Sequence, residues 1–394
     1  AYQNEFRWAL PTQFGQWMKL KMFAVDNNGF TGTIPTEFGH LSSLEKLNIY
    51  NNQITGTVPT ELGQLTAMTL LSLTSNALTG TLPTELGHMT SLLAFHGSDN
   101  LFQGTIPTEL GAMTRLQYLD IDLNILTGTI PTQLSRMTAL QALNLEINSL
   151  SGTLPTELAT MTAMTSLSVA LNDFTGTIPT EWGQLTALQE LYVHSNSLAG
   201  TIPMQHGALT VLQTLTLNEN KFIGTLPSEL GQLTGMMTLD MSSNLLTGTI
   251  PTELGAMTRL WSFNVTNNML NGTLPTELGR LTNMLKLGLN DNYLRGTIPT
   301  ELGGLSLLVF VHIENNAFTG TLPRTLSQWG LAMEFVFSGN NFTGSVNDVL
   351  CPRAIILVTL QGDCLVSSNN EIEIECKCCT ICCNINGDDC HEMT

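Results

Sequence analysis

The chain has 394 residues, of which 12% are charged, and its formal net charge at pH 7 is −18. Ordinary domains carry roughly 25% charged residues, so most of this surface is polar without charge. The negative balance argues against nucleic acids and anionic membranes as partners, because both are bound by basic surfaces. The longest apolar runs, at residues 305–313 and 354–360, are too short to span a bilayer, which takes about 20 residues.

A fixed interval of 24 residues, first visible at Pro11, Pro35 and Pro59, organises the sequence. All but one of the 15 prolines follow it, as far as Pro323, without an insertion or deletion. A unit of this length cannot bury its apolar face alone and must stack on its neighbours. We therefore predict one solenoid over residues 1–350 and a cysteine-rich cap and tail over residues 351–394.

The chain starts inside a repeat. Asn4 already occupies a repeated asparagine position, and Leu10-Pro11 is the first apolar–proline step. The strand that should precede Asn4 is missing from this sequence. We therefore expect an incomplete or processed N-terminal end.

Residues 41–64 show the repeat unit clearly. Its apolar positions should point inward, and the alternation around Leu47 and Ile49 predicts a half-buried strand. Asn52 lies seven residues before its proline, and the same position is asparagine from Asn4 to Asn340. A buried amide must satisfy its donors and its acceptor. We therefore predict a structural asparagine ladder in which each amide bonds the backbone of adjacent repeats.

The unit L-x-x-L-x-x-L-x-L-x-x-N-x-L-T-G-x-I-P, as in residues 41–59, resembles the plant-type leucine-rich repeat. That subclass is found in receptor-kinase ectodomains and polygalacturonase-inhibiting proteins. The resemblance implies an α/β-type repeat solenoid, a right-handed superhelix with a concave parallel sheet. Short second strands and 3-10 or helical turns are expected on its other faces. It also implies a secreted or cell-surface recognition module.

No sequence motif indicates an enzyme. The patterns G-x-S-x-G and H-E-x-x-H and a phosphate-binding glycine loop do not occur. His96, His194 and His312 are four or more repeats apart, which places them about 20 Å or more from each other, too far to share a metal. Asp120 and Asp122 are expected to lie on a flat, solvated face. We predict a non-enzymatic protein without a cofactor or a metal.

The concave face is the first candidate binding surface, because its exposed positions vary strongly between repeats. Tyrosine, histidine and aspartate in dispersed order suit recognition of a protein, a peptide or a glycan, since amphipathic aromatic residues anchor interfaces. A merely soluble face is the alternative interpretation. The candidate partner-binding residues are Tyr50, His96, Tyr118, Asp120, Asp122, Glu146, Tyr192, His194, Asp240, Phe310 and His312.

The T-G-T segment is the second candidate surface. In residues 30–34 the apolar and polar positions alternate, which predicts a short second strand with Thr31 and Thr33 facing outward. Strand propensity alone could retain such threonines. A flat hydroxyl and methyl array also resembles the faces of ice-binding solenoids. The invariant column is Thr33, Thr57, Thr81, Thr105, Thr129, Thr153, Thr177, Thr201, Thr225, Thr249, Thr273, Thr297 and Thr321.

The eight cysteines all lie in the last 44 residues. The spacing of Cys379 and Cys382 also fits a zinc site. An even number of cysteines together with three N-x-[ST] sequons favours disulfides in an oxidising compartment. The tail resembles those of some secreted algal leucine-rich repeat proteins. The cysteines are Cys351, Cys364, Cys376, Cys378, Cys379, Cys382, Cys383 and Cys390, and the predicted glycosylation sites are Asn264, Asn271 and Asn341.

These observations predict a secreted or cell-surface glycoprotein that recognises or adheres to a partner through an extended face. Ice binding by the threonine array is the first alternative function. The second is a structural subunit that assembles with other chains outside the cell, since an uncapped solenoid end invites edge pairing.

Overall fold

The computed structural model describes residues 7–347, 349–351, 359–363, 374–376, 378–383 and 390–392. It contains two compact units, Ala1–Leu198 and Ala199–Thr394. In each unit, a repeat supplies a strand of a main sheet, in most repeats a strand of a second sheet, and a short 3-10 helix. No helix within the described ranges is long and apolar enough to cross a membrane.

The first unit contains eight parallel main-sheet strands, six second-sheet strands and eight 3-10 helices among its described residues. The main-sheet strands are Met22–Ala24, Lys46–Asn48, Leu70–Ser72, Ala94–His96, Tyr118–Asp120, Ala142–Asn144, Ser166–Ser168 and Glu190–Tyr192. The second-sheet strands are Thr55–Thr57, Ala77–Gly80, Leu101–Thr105, Ile125–Gly128, Ser149–Thr153 and Asp173–Thr175. The 3-10 helices are Thr12–Gln16, Thr36–His40, Thr60–Gln64, Thr84–His88, Thr108–Ala112, Thr132–Arg136, Thr156–Thr160 and Thr180–Gln184.

The second unit repeats this arrangement and ends in an antiparallel pair. Its main-sheet strands are Thr214–Thr216, Thr238–Asp240, Ser262–Asn264, Lys286–Gly288, Phe310–His312, Glu334–Val336, Thr359–Gly362, Ile381–Cys383 and Cys390–Glu392. Its second-sheet strands are Ala199–Gly200, Lys221–Thr225, Leu245–Gly248, Met269–Gly272, Tyr293–Gly296, Ala317–Gly320 and Asn341–Phe342, and Gly344–Ser345 pairs with Ile374–Glu375. Its 3-10 helices are Met204–Ala208, Ser228–Gln232, Thr252–Ala256, Thr276–Arg280, Thr300–Gly304 and Arg324–Gln328.

The prolines and leucines explain the local structure of each repeat. Pro59 has a φ of −65°, the value that its ring fixes, and the 3-10 helix Thr60–Gln64 begins directly after it. Leu47 and Ile49 are fully buried in the core, as predicted. The predicted parallel sheet, second strands and 3-10 turns are therefore confirmed in both units.

The two sheets differ in register. Main-sheet partners are one full repeat apart, as in Leu119 with Leu143, so equivalent positions stack directly. Second-sheet partners are two residues short of a repeat, as in Thr105 with Thr127. The predicted second strand at residues 30–34 is present only as isolated bridges, one of which joins Thr33 and Thr55. The second sheet is therefore slanted, and its threonine columns are staggered from repeat to repeat.

The asparagine ladder has the predicted geometry. The Asn196 Nδ2 donates to the carbonyl oxygens of Val169, Val193 and His194 at 3.0, 3.2 and 3.1 Å. Its Oδ1 accepts from the Phe174 N–H at 3.0 Å. The amide thus bonds backbone of its own repeat and of the preceding one, and the prediction of a structural ladder is confirmed. Asn4 lies outside the described residues.

Two disulfides join described cysteines of the tail. Cys351 bonds Cys378, with the two Cα atoms 5.3 Å apart, and Cys376 bonds Cys379 at 5.6 Å. The Sγ atoms of Cys351, Cys376 and Cys378 lie within 4.8 Å of one another. Because each sulfur belongs to one of these disulfides, none of the three is a thiolate that could ligate a metal.

The side chains of the other four cysteines lie outside the described part of the chain. Cys364 lies outside the described residues, and only the backbone of Cys382, Cys383 and Cys390 is described, in strands. The predicted pairing of all eight cysteines therefore stays a prediction beyond the two disulfides above.

Candidate partner-binding face

The solvent side of the main sheet in the first unit, here called the first main-sheet face, contains a depression of about 330 Å³. Residues from five successive repeats line it. Its charged residues are three carboxylates and one histidine, so it is acidic when the histidine is neutral. The polar and aromatic lining comprises His96, Tyr118, Asp120, Asn144, Glu146, Ser166, Ser168, Glu190 and Tyr192.

Strand alternation brings these side chains together. In Tyr118–Asp120 the central Leu119 is fully buried, while Tyr118 is 41% exposed and Asp120 is half-buried on the opposite side. The Tyr118 Oη donates to the Gln141 Oε1 at 3.1 Å, which positions the ring over the sheet. Five predicted residues, His96, Tyr118, Asp120, Glu146 and Tyr192, are thus united in one depression.

Serine hydroxyl groups position two of the carboxylates. The Ser168 Oγ donates to the Glu146 Oε2 at 3.0 Å. The Ser166 Oγ donates to the Glu190 Oε2, also at 3.0 Å. Glu190 was not predicted as a site residue. Its main-sheet position could have revealed it, because it lies one repeat after Ser166 and two residues before Tyr192.

Asp120 and Asp122 are both half-buried, so the prediction of a flat, solvated pair is wrong. The Oδ1 atoms of both are shielded from water. Burial, reinforced by the charges of Asp120 and Glu146, raises the pKa of Asp122 to about 6 despite the Ser98 hydroxyl beside it. The two carboxyl groups are two residues apart in one repeat, so they share a partly buried environment with like charges nearby.

The pKa of Asp120 shifts in the opposite direction, below its ordinary value. Burial alone would raise the pKa of this carboxyl, but the neighbouring polar groups of His96, Asp122 and Ser98 hold it below its ordinary value. The His96 Nδ1 lies 3.7 Å from the Asp120 Oδ2. At neutral pH the pair therefore presents a firmly ionised Asp120 beside an Asp122 that retains a proton in a fraction of molecules.

The other three predicted residues of the first unit, Tyr50, Asp122 and His194, do not line this depression. The Tyr50 hydroxyl accepts a hydrogen bond from the Asn27 Nδ2, and the ring is half-buried. His194 is also half-buried, and its carbonyl oxygen accepts from Asn196. Neither side chain lines the acidic depression.

The second unit has its own main-sheet depression, of about 450 Å³. Three predicted residues, Asp240, Phe310 and His312, line it together with the unpredicted Lys286. The Lys286 Nζ lies 5.6 Å from the centre of the Phe310 ring and 6.0 Å from that of Trp261, within range of a cation–π contact.

His312 is surrounded by carboxylates. Its Nδ1 lies 3.5 Å from the Glu314 Oε1, and its Nε2 lies 3.7 Å from the Glu334 Oε1. The hydrogen bond with Glu314, aided by the charges of both glutamates and opposed by burial, raises the pKa of His312. The second depression is therefore of mixed charge, whereas the first is acidic.

The invariant threonines are all exposed, as predicted, and their methyl groups have a packing role. A Cβ placed on Gly176 would lie 2.9 Å from the Thr153 Cγ2, and eleven further pairs of the same kind range from 2.6 to 3.0 Å. Gly176 has a φ of +79°, which favours glycine. In these twelve pairs the threonine methyl group thus fills the space beneath the glycine of the next repeat. This contact accounts for an invariant column without a ligand.

The predicted glycosylation sites differ in accessibility. Asn271 and Asn341 are exposed on second-sheet strands. Asn264 is half-buried in the main sheet, and its Nδ2 donates to the Asp240 Oδ2 at 3.2 Å. Asn271 and Asn341 are therefore the better placed acceptors for a glycan.

Comparisons with known proteins agree with this architecture. One model of the leucine-rich repeat family matches residues 18–78, and another matches residues 211–233 and 236–257. No curated protein matched the sequence.

Solved structures are similar over most of the chain. The crystal structure of a TDR receptor aligns with a TM-score of 0.84 and 32% identity, over 86% of this chain and 59% of the receptor chain. The plant peptide hormone receptor RGFR1, solved in complex with RGF2, aligns with a TM-score of 0.83 and 31% identity, over 92% and 61%. The chain thus spans about three fifths of these receptor chains.

A plant ice-binding protein is also similar, with a TM-score of 0.52 and 24% identity, over 68% of this chain and 79% of that chain. At this identity the likeness shows a shared fold alone. Together, the comparisons establish that the chain carries leucine-rich repeats and has the fold of the receptor structures.

Proposed function

We propose that this leucine-rich repeat chain is a non-enzymatic extracellular recognition module that binds a basic peptide or protein segment on its first main-sheet face. The observation that carries this proposal is the acidic depression, in which tyrosines and carboxylates from successive repeats converge. The similarity to a plant peptide hormone receptor supports a peptide as the ligand class.

The residues of the depression suit a cationic partner. Tyr118 and Tyr192 offer amphipathic rings at low entropic cost and can anchor a segment laid across the strands. Asp120, Glu146 and Glu190 attract arginine or lysine and disfavour acidic segments. Asp122, two residues after Asp120 but outside the lining, adds a further carboxyl group that a nearby cation would keep ionised.

A binding assay with a synthetic peptide tests this function. The probe is a fluorescent peptide of alternating arginine and serine, roughly eight residues long and thus about 26 Å when extended. We expect it to bind the intact chain at physiological ionic strength, and a matched peptide of alternating glutamate and serine not to bind. Tyr118→Ala and Tyr192→Ala should each weaken binding by more than about 1 kcal/mol, or fivefold.

Tyr293→Ala is the matched control, because Tyr293 is 65% exposed but lies on the second sheet of the other unit. Equal binding of the basic and acidic peptides would contradict the proposal. So would an effect of Tyr293→Ala as large as that of the two main-sheet tyrosines.

Ice binding by the second sheet is the competing function that the exposed threonine column suggests. Thr177→Tyr should then abolish ice-crystal shaping in a protein that still folds, because one large ring interrupts the regular column of threonines. An unmodified protein that never shapes ice crystals in a cooled droplet would exclude this function. A structural subunit role would instead appear as assembly of the purified chain into larger species.

A further inference from the structure

An apolar strip runs along the edge of the first main-sheet face. It consists of Leu101, Leu123, Ile125, Ile147 and Leu171, whose side chains are between 39% and 49% exposed. Leu123, Ile147 and Leu171 follow the ends of successive main-sheet strands, whereas Leu101 and Ile125 begin second-sheet strands. Five large apolar residues are thus exposed in neighbouring repeats, and exposed apolar patches mark interaction sites.

Three of these residues occupy a backbone conformation that disfavours them. Leu123, Ile147 and Leu171 have φ values of 49°, 51° and 52°, in the left-handed region. Side chains branched at Cβ, such as that of Ile147, are genuine outliers there. The same position in ten other repeats carries a polar residue: Asn27, Asn51, Ser75, Asp99, Ser195, Glu219, Ser243, Asn267, Asp291 and Asn315. The strip thus replaces residues that tolerate the turn with residues that strain it, and exposes them.

Backbone groups make the hydrogen bonds at these strained positions. These hydrogen bonds join successive repeats: the Leu123 N–H donates to the Glu146 carbonyl at 3.0 Å, and the Ile147 N–H donates to the Ala170 carbonyl at 3.2 Å. An asparagine would make the same bonds with less strain. Retained strain at an exposed position is typical of functional sites.

The strip adjoins acidic residues along the sequence and through the backbone hydrogen bonds between repeats. Asp122 directly precedes Leu123, and Glu146 directly precedes Ile147. A partner that covers the strip must therefore also face these carboxylates. A second copy of this chain, with its net charge of −18, would bring like charges together, whereas a segment with cationic side chains would pair them.

We propose that the strip is a docking edge for the apolar side chains of an amphipathic basic peptide whose cationic side chains contact Asp120, Asp122 and Glu146. This inference rests on the proposed function and deepens it, because it specifies the partner as a peptide in which apolar and basic residues alternate. An extended peptide matches this division, since its successive side chains point to opposite sides.

A cycle of peptide and protein variants tests the inference. The arginine–serine probe is compared with a peptide in which leucines replace the serines. On the unmodified chain, we expect the leucines to lower the Kd at least about tenfold, because several apolar side chains leave water on binding. On the triple variant Leu123→Asn, Ile147→Asn and Leu171→Asn, the leucines should lower the Kd by less than about threefold. The Kd of the arginine–serine peptide should be the same as on the unmodified chain.

Further variants keep the inference falsifiable. The triple variant should melt at or above the temperature of the unmodified chain, because asparagine tolerates the left-handed turn. If it fails to fold, Leu101→Thr with Ile125→Thr removes part of the strip while keeping strand propensity. Leu245→Thr, an exposed leucine on the second sheet of the other unit, is the matched control and should leave the leucine gain intact.

The outcomes separate the two proposals. If the arginine–serine peptide binds but leucines add nothing, or their gain persists in the triple variant, the docking edge is wrong while the proposed function stands. If the arginine–serine peptide does not bind, the proposed function itself fails. A dimer of the unmodified chain in sedimentation that the triple variant dissociates would assign the strip to a second copy and overturn the inference.

Discussion

Asn196→Leu is the sharpest test of how the repeats are held together. Leucine matches asparagine in size but leaves the Phe174 N–H and the Val169 carbonyl without the amide that now bonds them at 3.0 Å each. Phe174 is fully buried, so its N–H has no access to water. At about 1–1.5 kcal/mol for each orphaned group, the expected loss is about 2–3 kcal/mol, or roughly 5–10 °C for a unit of this size.

Thermal unfolding followed by circular dichroism measures this loss. Gln103→Leu is the matched control, because it also converts an amide to leucine but at an exposed position of the second sheet. We expect its melting temperature to stay within about 1 °C of the unmodified chain, as is usual for surface substitutions. If Asn196→Leu had the same melting temperature as Gln103→Leu, the asparagine ladder would not be a source of stability and the reasoning would be wrong.

Three further predictions follow from the described contacts. Thr153→Ser should destabilise by about 1 kcal/mol, because it removes the methyl group beneath Gly176, whereas Thr153→Val should not, and equal melting temperatures would contradict the packing role. The folded-state pKa of Asp122 is raised from 3.8 to about 6, so its ionisation costs stability as pH rises through that range. Asp122→Asn should therefore have the same free energy of unfolding as the unmodified chain at pH 4. At pH 7 its free energy of unfolding should be higher by about 1 kcal/mol after screening, and a difference independent of pH would refute this. Unreduced proteolysis and mass spectrometry should recover a peptide pair linked through Cys351 and Cys378, and recovery of both as free thiols would contradict the disulfide.

Periodicity was sufficient to predict the repeat, both sheets and the asparagine ladder, because each follows from one rule applied every 24 residues, as from Asn52 to Asn76. The register of the second sheet was not predictable in this way. Its strands contain glycines with positive φ, such as Gly128 at +78°, and threonine methyl groups pack against them. The sequence shows that the threonine column is invariant but not which atoms it contacts.

The site was only partly predictable for a related reason. Strand alternation indicated that Tyr118, Asp120 and Tyr192 face the same side, and the structure places them in one depression. The crowding around Asp122 was missed, because it arises from Asp120 and Glu146 of the same and the next repeat. The signal for the apolar strip was present in the sequence, in that Leu123 and its counterparts interrupt a polar column, but its meaning depends on the left-handed backbone.

The most direct test of the account is to map where a basic peptide binds. The leucine–arginine peptide, carrying a photoreactive leucine analogue, would be crosslinked to the intact chain and the products located by mass spectrometry. The account predicts crosslinks to the strip and the adjoining main-sheet strands, at Leu101, Ile125 and residues 118–123, 142–147 and 166–171. Crosslinks confined to the threonine columns of the second sheet, such as Thr105 and Thr129, would contradict it.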